Sequence, residues 1–390
     1  MLKDKIFLLA LLALLRMMNA KSDNTTLFAE TRNYMLKKIA ELLAAGEKKL
    51  PTERELAEEV VASYATVRLV MKQLETEGFI RRIRGSGTYL EPEAEALLRQ
   101  SSMRRLWYFR SPDADQPERD YGSWMRGEIR RSAAERNWNL MEVVVFTHDE
   151  FLTGLSQRLK PGDAVLYLPP TEPISVRQLG ELSRYDSFPL VVLDLEFGDV
   201  SIANVTSDNR RGGMLAARQL LKNGSRTPLV LLCEPHLKQL RSRLQGFCEI
   251  TEIAGITPEI LDCGVTANDD REEFAYRALL ARLKRGSLPD AVFAISDSGA
   301  FGALRAMREC GLEPGRDVGL IGFDGVSAGR KMTPSLATIA QPVAGICRTA
   351  FDILEKWVPG RRPQYQLSPK YLPGDTLLPL QVNCKQEVLV

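Results

Sequence analysis

From Thr25 to Ala45 the apolar residues Phe28, Met35, Leu36, Ile39, Leu42 and Leu43 recur at helical spacing, and Gly46 stops the pattern. This predicts a first helix. Pro51 and Thr52 open a second, where Thr52 and Glu55 have the spacing of a capping box, whose reciprocal bonds satisfy exposed amides of the first turn. Ser63 can cap a third helix, with Val67, Val70, Met71 and Leu74 at i, i+3, i+4 and i+7 and Gly78 as its stop. In the stretch FIRRIRGSGTYL that follows, Phe79, Ile80 and Ile83 anchor a short strand. Gly85 and Gly87 permit a tight hairpin, and Tyr89 and Leu90 return along it. Residues 25–92 thus read as a small α+β domain with a winged helix-turn-helix order.

Residues 93–103 lack a strong apolar period and read as a linker. Beyond them the pattern changes. Strand-like apolar runs at Leu106–Phe109, Met141–Phe146, Ala164–Leu168, Leu190–Leu193, Leu229–Leu232, Ala291–Ile295 and Val318–Phe323 alternate with helical stretches. Those stretches are Trp124–Arg136, Arg210–Lys222, Leu240–Ala254, Glu272–Lys284 and Ala300–Glu309, and glycines follow several of them as C-caps do. Alternation of this kind predicts an α/β domain over residues 104–390, with parallel sheets covered on both faces. In such sheets ligands bind beyond the carboxyl ends of the strands.

Charge sharpens the reading of the small domain. Its total is nearly balanced, but the signs segregate: Glu53, Glu55, Glu58 and Glu59 crowd the second helix, while Arg68, Lys72, Arg81, Arg82 and Arg84 follow it. Stepping 100° per residue from the apolar stripe of the third helix, Ala65, Leu69, Lys72 and Thr76 point outward, flanked by Thr66 and Arg68. Small, cationic and hydroxyl side chains suit a major groove, where arginine grips guanine bidentately. Arg81, Arg82 and Arg84 are placed to neutralise phosphates, which makes binding steeply salt-dependent. Each feature taken singly also fits a mixed domain with a solvated positive face. Their order and spacing together point to double-stranded DNA.

LPTERELAEE, ATVR, QLETEGFI and RRIRGSGTYL resemble the DNA-binding domain of the GntR family of bacterial transcription regulators. By matching position the resemblance implies DNA contacts at Arg54, Ser63, Thr66, Arg68 and Gly85. Tyr64, Lys72, Arg84 and Gly87 complete the candidate DNA-binding set. The chain departs from the family in the turn: Val61, Ala62 and Tyr64 stand where the family has a Gly-Val pair and an arginine after the cap. A β-branched Val61 at positive φ would carry strain, and Tyr64 either donates to a phosphate or packs on the helix flank.

In the second domain three polar residues fall at strand ends or on the following helix. Asp208 follows Ile202–Val205, Asp297 follows Ala291–Ile295, and Arg243 lies early on the helix after Leu229–Leu232. Either aspartate can equally be a helix N-cap, and Arg243 a solvated helix residue. SDNRRGGMLAARQLLKNG, RLQGF, AISDSGAFGALRAMRECGLEPGRDVGLIGFDG and SLATIAQP, however, resemble the effector domain of LacI/GalR regulators, which is similar to periplasmic sugar-binding proteins. The resemblance implies two α/β lobes, a cleft for a small polar effector, and ligand contacts at Asp208, Arg243 and Asp297. Carboxylates and a guanidinium can pair with vicinal hydroxyls. It also implies a stacking aromatic near the first helix, at Tyr121 or, less well aligned, Trp124.

Composition adds exclusions. Six cysteines, none in a CxxC pair, read as reduced packing residues. His148 and His236 are the only histidines, which argues against a zinc site or hydrolytic triad, and GxSxG and P-loop motifs are absent. No cofactor and no enzymatic activity are expected. Residues 1–24 stand apart: Lys3 and Lys5 precede an apolar Ile6–Leu15 run ended by Arg16, too short to span a bilayer. They read as a start placed too early or an added amphipathic helix, without stable membrane association. The expectation is a cytoplasmic, homodimeric, sugar-responsive repressor; the alternative is an exported or membrane-tethered sugar-binding receptor.

Overall fold

The computed structural model describes residues 27–378, apart from 61, 103, 114, 186, 197–201 and 268. The apolar N-terminal extension and Val61 therefore lie outside the described residues. The chain divides into two compact units, Met1–Arg104 and Arg105–Val390.

The first unit contains α1 (Leu27–Ala45), α2 (Glu53–Val60), α3 (Tyr64–Thr76), the hairpin β1 (Ile80–Ile83) and β2 (Gly87–Leu90), and α4 (Ala94–Ser102). The α3 stripe of Val67, Val70, Met71 and Leu74 is fully buried against Met35, Ile39 and Leu56. Both anticipated caps are present. Thr52 N–H donates to Glu55 at 2.7 Å while Glu55 N–H donates back to the Thr52 hydroxyl at 3.3 Å. Ser63 accepts from the Thr66 N–H at 3.1 Å. Gly78, at φ +82, turns the chain out of α3.

The hairpin pairs Ile80 with Leu90 and Ile83 with Gly87, and Gly85 (φ +75) and Gly87 (φ +125) supply its left-handed corner. Residues 48–50 lie along β2 as a third line: Leu50 N–H donates to Thr88 at 2.9 Å and Leu90 N–H to Lys48 at 2.8 Å. Two expectations are corrected. Ile83 anchors nothing, because it sits at the hairpin tip, 40% exposed. The stretch 93–103, read as a linker, is largely the helix α4. Its Ala94 and Leu98, one turn apart, insert into the small core, and two contacts were too few to register as a period.

The second unit is two lobes. The first has a six-stranded sheet in the order β13-β7-β6-β5-β3-β4, built from β3 (Arg104–Arg110), β4 (Trp138–Val144), β5 (Ala164–Leu168), β6 (Leu190–Leu193), β7 (Asn204–Ser207) and β13 (Gln364–Leu367). Helices α5 (Tyr121–Glu135), α6 (His148–Arg158) and α7 (Val176–Leu182) belong to it, as does α13 (Val343–Glu355). The second sheet has the order β14-β12-β11-β10-β8-β9: β8 (Pro228–Leu232), β9 (Glu259–Asp262), β10 (Ala291–Ala294), β11 (Gly319–Asp324), β12 (Ala337–Ala340) and β14 (Lys370–Leu372). It is flanked by α8 (Asn209–Lys222), α9 (Lys238–Ile253), α10 (Arg271–Leu283), α11 (Asp297–Glu309) and the short α12 (Ser327–Lys331).

The strand pairings are parallel except for the antiparallel edge strand β14. The buried strands read as unbroken apolar runs because both faces are covered, as Ala164–Leu168 and Leu190–Leu193 show. The chain crosses between lobes three times, after β7, after β12 and after β13. Carboxyl ends of β6 and β7 in one lobe and of β10 and β11 in the other converge on these crossings.

Candidate functional site

On the first unit the outward face of α3 and the hairpin carry the predicted side chains. Tyr64, Ala65, Arg68, Leu69, Lys72 and Arg84 are exposed, Leu69 at 58%. An exposed leucine flanked by cations is a surface awaiting a partner rather than a core residue.

The arginines differ in what holds them. Arg54 pairs with Glu58 one turn away at 3.3 Å. Arg82 is held by Glu53 at 2.9 Å and Glu75 at 3.5 Å, so it ties the wing to α2 and α3. Arg68, Lys72 and Arg84 have no acidic partner among the described residues. The Ser63 hydroxyl is committed to the α3 cap and to the Thr66 hydroxyl at 2.8 Å. Tyr64 lies exposed beside Glu53, which pushes its phenol up. Sequence reasoning passed over Lys49, whose ammonium lies 5.8 Å from the Tyr89 ring centre and whose stem would meet a Cβ at Gly87.

In the second unit the structure brings Tyr121, Arg243 and Asp297 close to one another in the buried region where the lobes meet and adds residues the sequence did not flag. Arg243, 4% exposed, donates through Nε to Asn209 Oδ1 at 2.8 Å and through Nη1 to the Ile295 carbonyl at 2.7 Å. Its guanidinium lies over the Phe323 ring at 3.7 Å and faces Asp324 at 3.7 Å. Asp324 ends β11 at φ +128 and accepts from Gln341 Nε2 at 2.8 Å. Asp194 follows β6 at φ +51 and accepts from the Thr206 hydroxyl. Two non-glycine residues at strand ends with positive φ mark strained backbone of the kind that collects at functional sites. The signal available in sequence was only that the apolar runs LVVL and GLIGF each end in aspartate.

Asp297 is wholly enclosed: Oδ1 accepts from the Thr338 hydroxyl at 2.7 Å, and Oδ2 from the N–H groups of Gly325 and Val326 at 2.8 and 2.9 Å. It therefore fixes the β11 loop that presents Asp324. Asp208 takes its plainer role, capping α8 by accepting from Arg211 N–H at 3.0 Å. It lines a groove of about 600 Å³ with Glu196, Arg211, Arg218, Ser242 and Gln366. The next residue, Asn209, is the one that meets Arg243. Trp124 packs between the cores of both lobes.

Burial dominates the electrostatics. Loss of hydration pushes the carboxyls of Asp194 and Asp297 up to about 6 and raises that of Asp324 as well, with Arg243 opposing all three. The Tyr121 phenol is pushed up by the same cause and by the neighbouring Asp194 and Asp324. The Tyr121 hydroxyl lies against Asp194, whose carboxyl it stabilises, while the Oε1 atoms of Gln239 and Gln341 are buried without a hydrogen-bond partner among the described residues.

Across the lobes, outside this cluster, Glu118 accepts from the Ala328 N–H at 2.8 Å and pairs with Lys331 at 2.9 Å. Arg119 pairs with Glu272 at 2.6 Å and lies 4.7 Å over the Phe301 ring.

Residues 31–90 match the family described as bacterial regulatory proteins, gntR family, and residues 217–377 match the periplasmic binding protein-like domain. The fold is thus a winged helix-turn-helix followed along the chain by a two-lobed, periplasmic-binding-protein-like domain, and each matched segment lies in a different unit. It is 32% identical over 230 residues to the HTH-type transcriptional repressor PurR of Escherichia coli O1:K1, covering 59% of this chain and 64% of that relative. The chain thus spans a little under two thirds of the length of the curated relatives it matches. Among solved structures, a LacI family transcriptional regulator from Enterococcus faecium with bound ribose superposes with a TM-score of 0.60 at 23% identity, covering 71% of this chain and all of that one. A periplasmic binding protein/LacI transcriptional regulator from Alkaliphilus metalliredigens complexed with D-xylulofuranose gives 0.58 at 20% identity, covering 70% and 99%. At these identities the likeness is one of fold. Among the described residues no helix is long and apolar enough to cross a membrane.

Proposed function

We propose that this chain is a ligand-responsive transcription regulator, a repressor rather than an enzyme. In this reading it acts in the cytoplasm as a homodimer, holds double-stranded operator DNA with α3 and the wing, and senses a small polar molecule of sugar type in the cleft between the lobes. The observation that carries the reading is the unbalanced cationic face of the first unit. Arg68, Lys72 and Arg84 stand exposed and without acidic partners, while neighbouring arginines are neutralised by glutamates. Phosphates are the natural counter-charge for such a face.

The cleft supplies the sensing half. Its buried donors and acceptors come from both lobes, so a molecule bound there favours one arrangement of the lobes over the other. That difference in affinity is what drives a response at the DNA. The relatives named above as transcription regulators, two of them with sugars bound, support this assignment.

The test is selection of bound fragments from genomic DNA by the full chain, followed by affinity measurement on the winner. Arg68→Ala is expected to weaken the selected site by about 1–3 kcal/mol if it reads a base. A variant that binds the selected site as tightly as the parent would remove α3 from the interface.

A further inference from the structure

The outward face of α3 is divided lengthwise into two columns. Ala65 and Leu69 stand one turn apart, as do Arg68 and Lys72, because residues four apart in a helix share a line along its axis. One column is apolar, the other cationic, and the two lie side by side. All four residues are exposed, Leu69 at 58%. The stripe of Val67, Val70, Met71 and Leu74 fills the opposite side of the helix, so neither Ala65 nor Leu69 enters a core among the described residues.

The polar side chains around these columns are already engaged. The Thr66 hydroxyl is bonded to that of Ser63 at 2.8 Å, and the Thr76 hydroxyl donates to the Lys72 carbonyl at 3.0 Å. Gln73 Nε2 donates to Glu77 at 2.7 Å, and Glu75 accepts from the Arg82 backbone N–H at 3.1 Å. The Tyr64 phenol donates to Glu53, which also holds Arg82 at 2.9 Å. The groups left to meet a groove are a guanidinium, an ammonium, an isobutyl group and a methyl group. Major-groove edges are read by matched chemistry: carboxamides pair with adenine, carboxylates accept from cytosine, arginine or lysine donates to guanine, and apolar groups meet the thymine methyl. Of these four kinds the face offers the last two.

We propose that α3 selects a guanine close to a thymine methyl, with Arg68 donating to the guanine edge while Leu69, backed by Ala65, covers the methyl group. Four residues of helix advance about 6 Å and successive bases about 3.4 Å, which places the thymine within about two base pairs of the guanine. The occupant of the apolar column is a base rather than a second protein. Arg68, Lys72 and Arg84 beside it lack acidic partners among the described residues, and a polyanion answers that charge. This rests on the operator-binding reading given above and deepens it by naming the bases that the helix reads.

The test uses a duplex selected from a random pool by the full chain. Each thymine of the selected site is replaced in turn by deoxyuridine, which removes only the 5-methyl group and leaves the pairing edge intact, and affinity is read by fluorescence anisotropy. At one or more thymines within about two base pairs of a guanine, the exchange is expected to weaken binding about fourfold, the value of one buried carbon. Leu69→Ala should bind the thymine duplex correspondingly more weakly and lose most of its sensitivity at that position. It should keep the salt dependence of the parent, since no charge is removed. Arg68→Ala should relax the preference at the neighbouring guanine. A site indifferent to uracil at every thymine overturns the proposal, and the parent chain alone shows it. So does a methyl effect that persists in full in Leu69→Ala, or a guanine preference unchanged in Arg68→Ala. Those outcomes leave operator binding standing, whereas failure of the chain to select any duplex overturns the regulator reading and this proposal with it.

Discussion

Two glycines set the distance between the helices that carry Asn209 and Arg243, and altering either should couple stability to the site in a calculable way. A Cβ added at Gly213 in α8 would lie 2.8 Å from the Arg243 carbonyl carbon and 2.9 Å from the Phe247 nitrogen, overlapping the Arg243 carbonyl oxygen outright. A Cβ at Gly246 in α9 would lie 2.8 Å from the Arg210 carbonyl carbon. Carbon atoms settle at about 3.5 Å or more, so Gly213→Ala must part α8 from α9 by at least roughly 0.7 Å. None of the three atoms it strikes is a flexible side-chain end; all belong to helix backbone.

Overpacking of this kind costs about 1–3 kcal/mol, and a domain of this size loses roughly 2–4 °C of melting temperature per kcal/mol. The same displacement stretches the 2.8 Å Arg243–Asn209 bond, so ligand affinity should fall along with stability. Differential scanning calorimetry with and without a bound ligand measures both. The Gly213→Ala and Gly246→Ala penalties should also be less than additive, since each opens the same crossing. A Gly213→Ala protein with unchanged melting and unchanged ligand affinity would refute the close-approach argument.

Further outcomes are expected. Arg84→Ala should weaken DNA binding by a similar factor for all sequences and lower the slope of log affinity against log salt by about 1, whereas Arg82→Ala should chiefly destabilise the wing by removing its ties to Glu53 and Glu75; salt titrations with each variant separate the two. Ser63→Ala should cost the first unit about 1 kcal/mol by uncapping α3, read by chemical denaturation, and an unaltered midpoint would count against the cap. Asp194 and Asp297 have carboxyls raised above their unfolded values, so their contribution is fully present below about pH 4 and is lost as pH rises through about 6, and Asp324 is raised in the same direction. Melting of the second unit in the ligand-free full chain should accordingly fall from pH 5 to 7, less steeply in Asp194→Asn, and a slope identical in parent and variant would exclude that residue as a source. Combining Arg119→Ala with Lys331→Ala removes two ion pairs that link the lobes and should weaken ligand binding by about 2–30-fold, since exposed pairs contribute about 0.2–1 kcal/mol each.

Local chemistry made the first unit legible in sequence. Its caps at Thr52 and Ser63, the stop at Gly78 and the glycine hairpin are all determined within a few residues of themselves. The parts that escaped notice depend on distant chain. Helix α4 registers through Ala94, Leu98 and the partly buried Leu97, which gain meaning from the core they enter. The exposure of Ile83 follows from where the hairpin ends. In the second unit the continuous apolar strands were plain, but α13 returns to the first lobe after the chain has built the second, a placement no local pattern encodes.

The same division runs through the site. Arg243 and Asp297 stood in recognisable motifs, and both are buried in the cleft. Asp194 and Asp324 did not stand out, because their positions follow from strand ends and positive φ angles that sequence does not display. Asp208 also carried the expected motif; its Oδ1 caps the first turn of α8 while the carboxylate lines the neighbouring groove, and Asn209 makes the contact with Arg243.

The central claim, that the cleft governs the DNA-binding unit, is tested most directly by fluorescence anisotropy of a selected DNA fragment titrated with the full chain, in the absence and presence of a saturating sugar shown by calorimetry to bind it. Coupling of about 1–3 kcal/mol, an affinity change on the order of 5–150-fold, is predicted, with the same factor appearing in ligand affinity when DNA is saturating. Identical DNA affinity with the cleft empty and filled would contradict it.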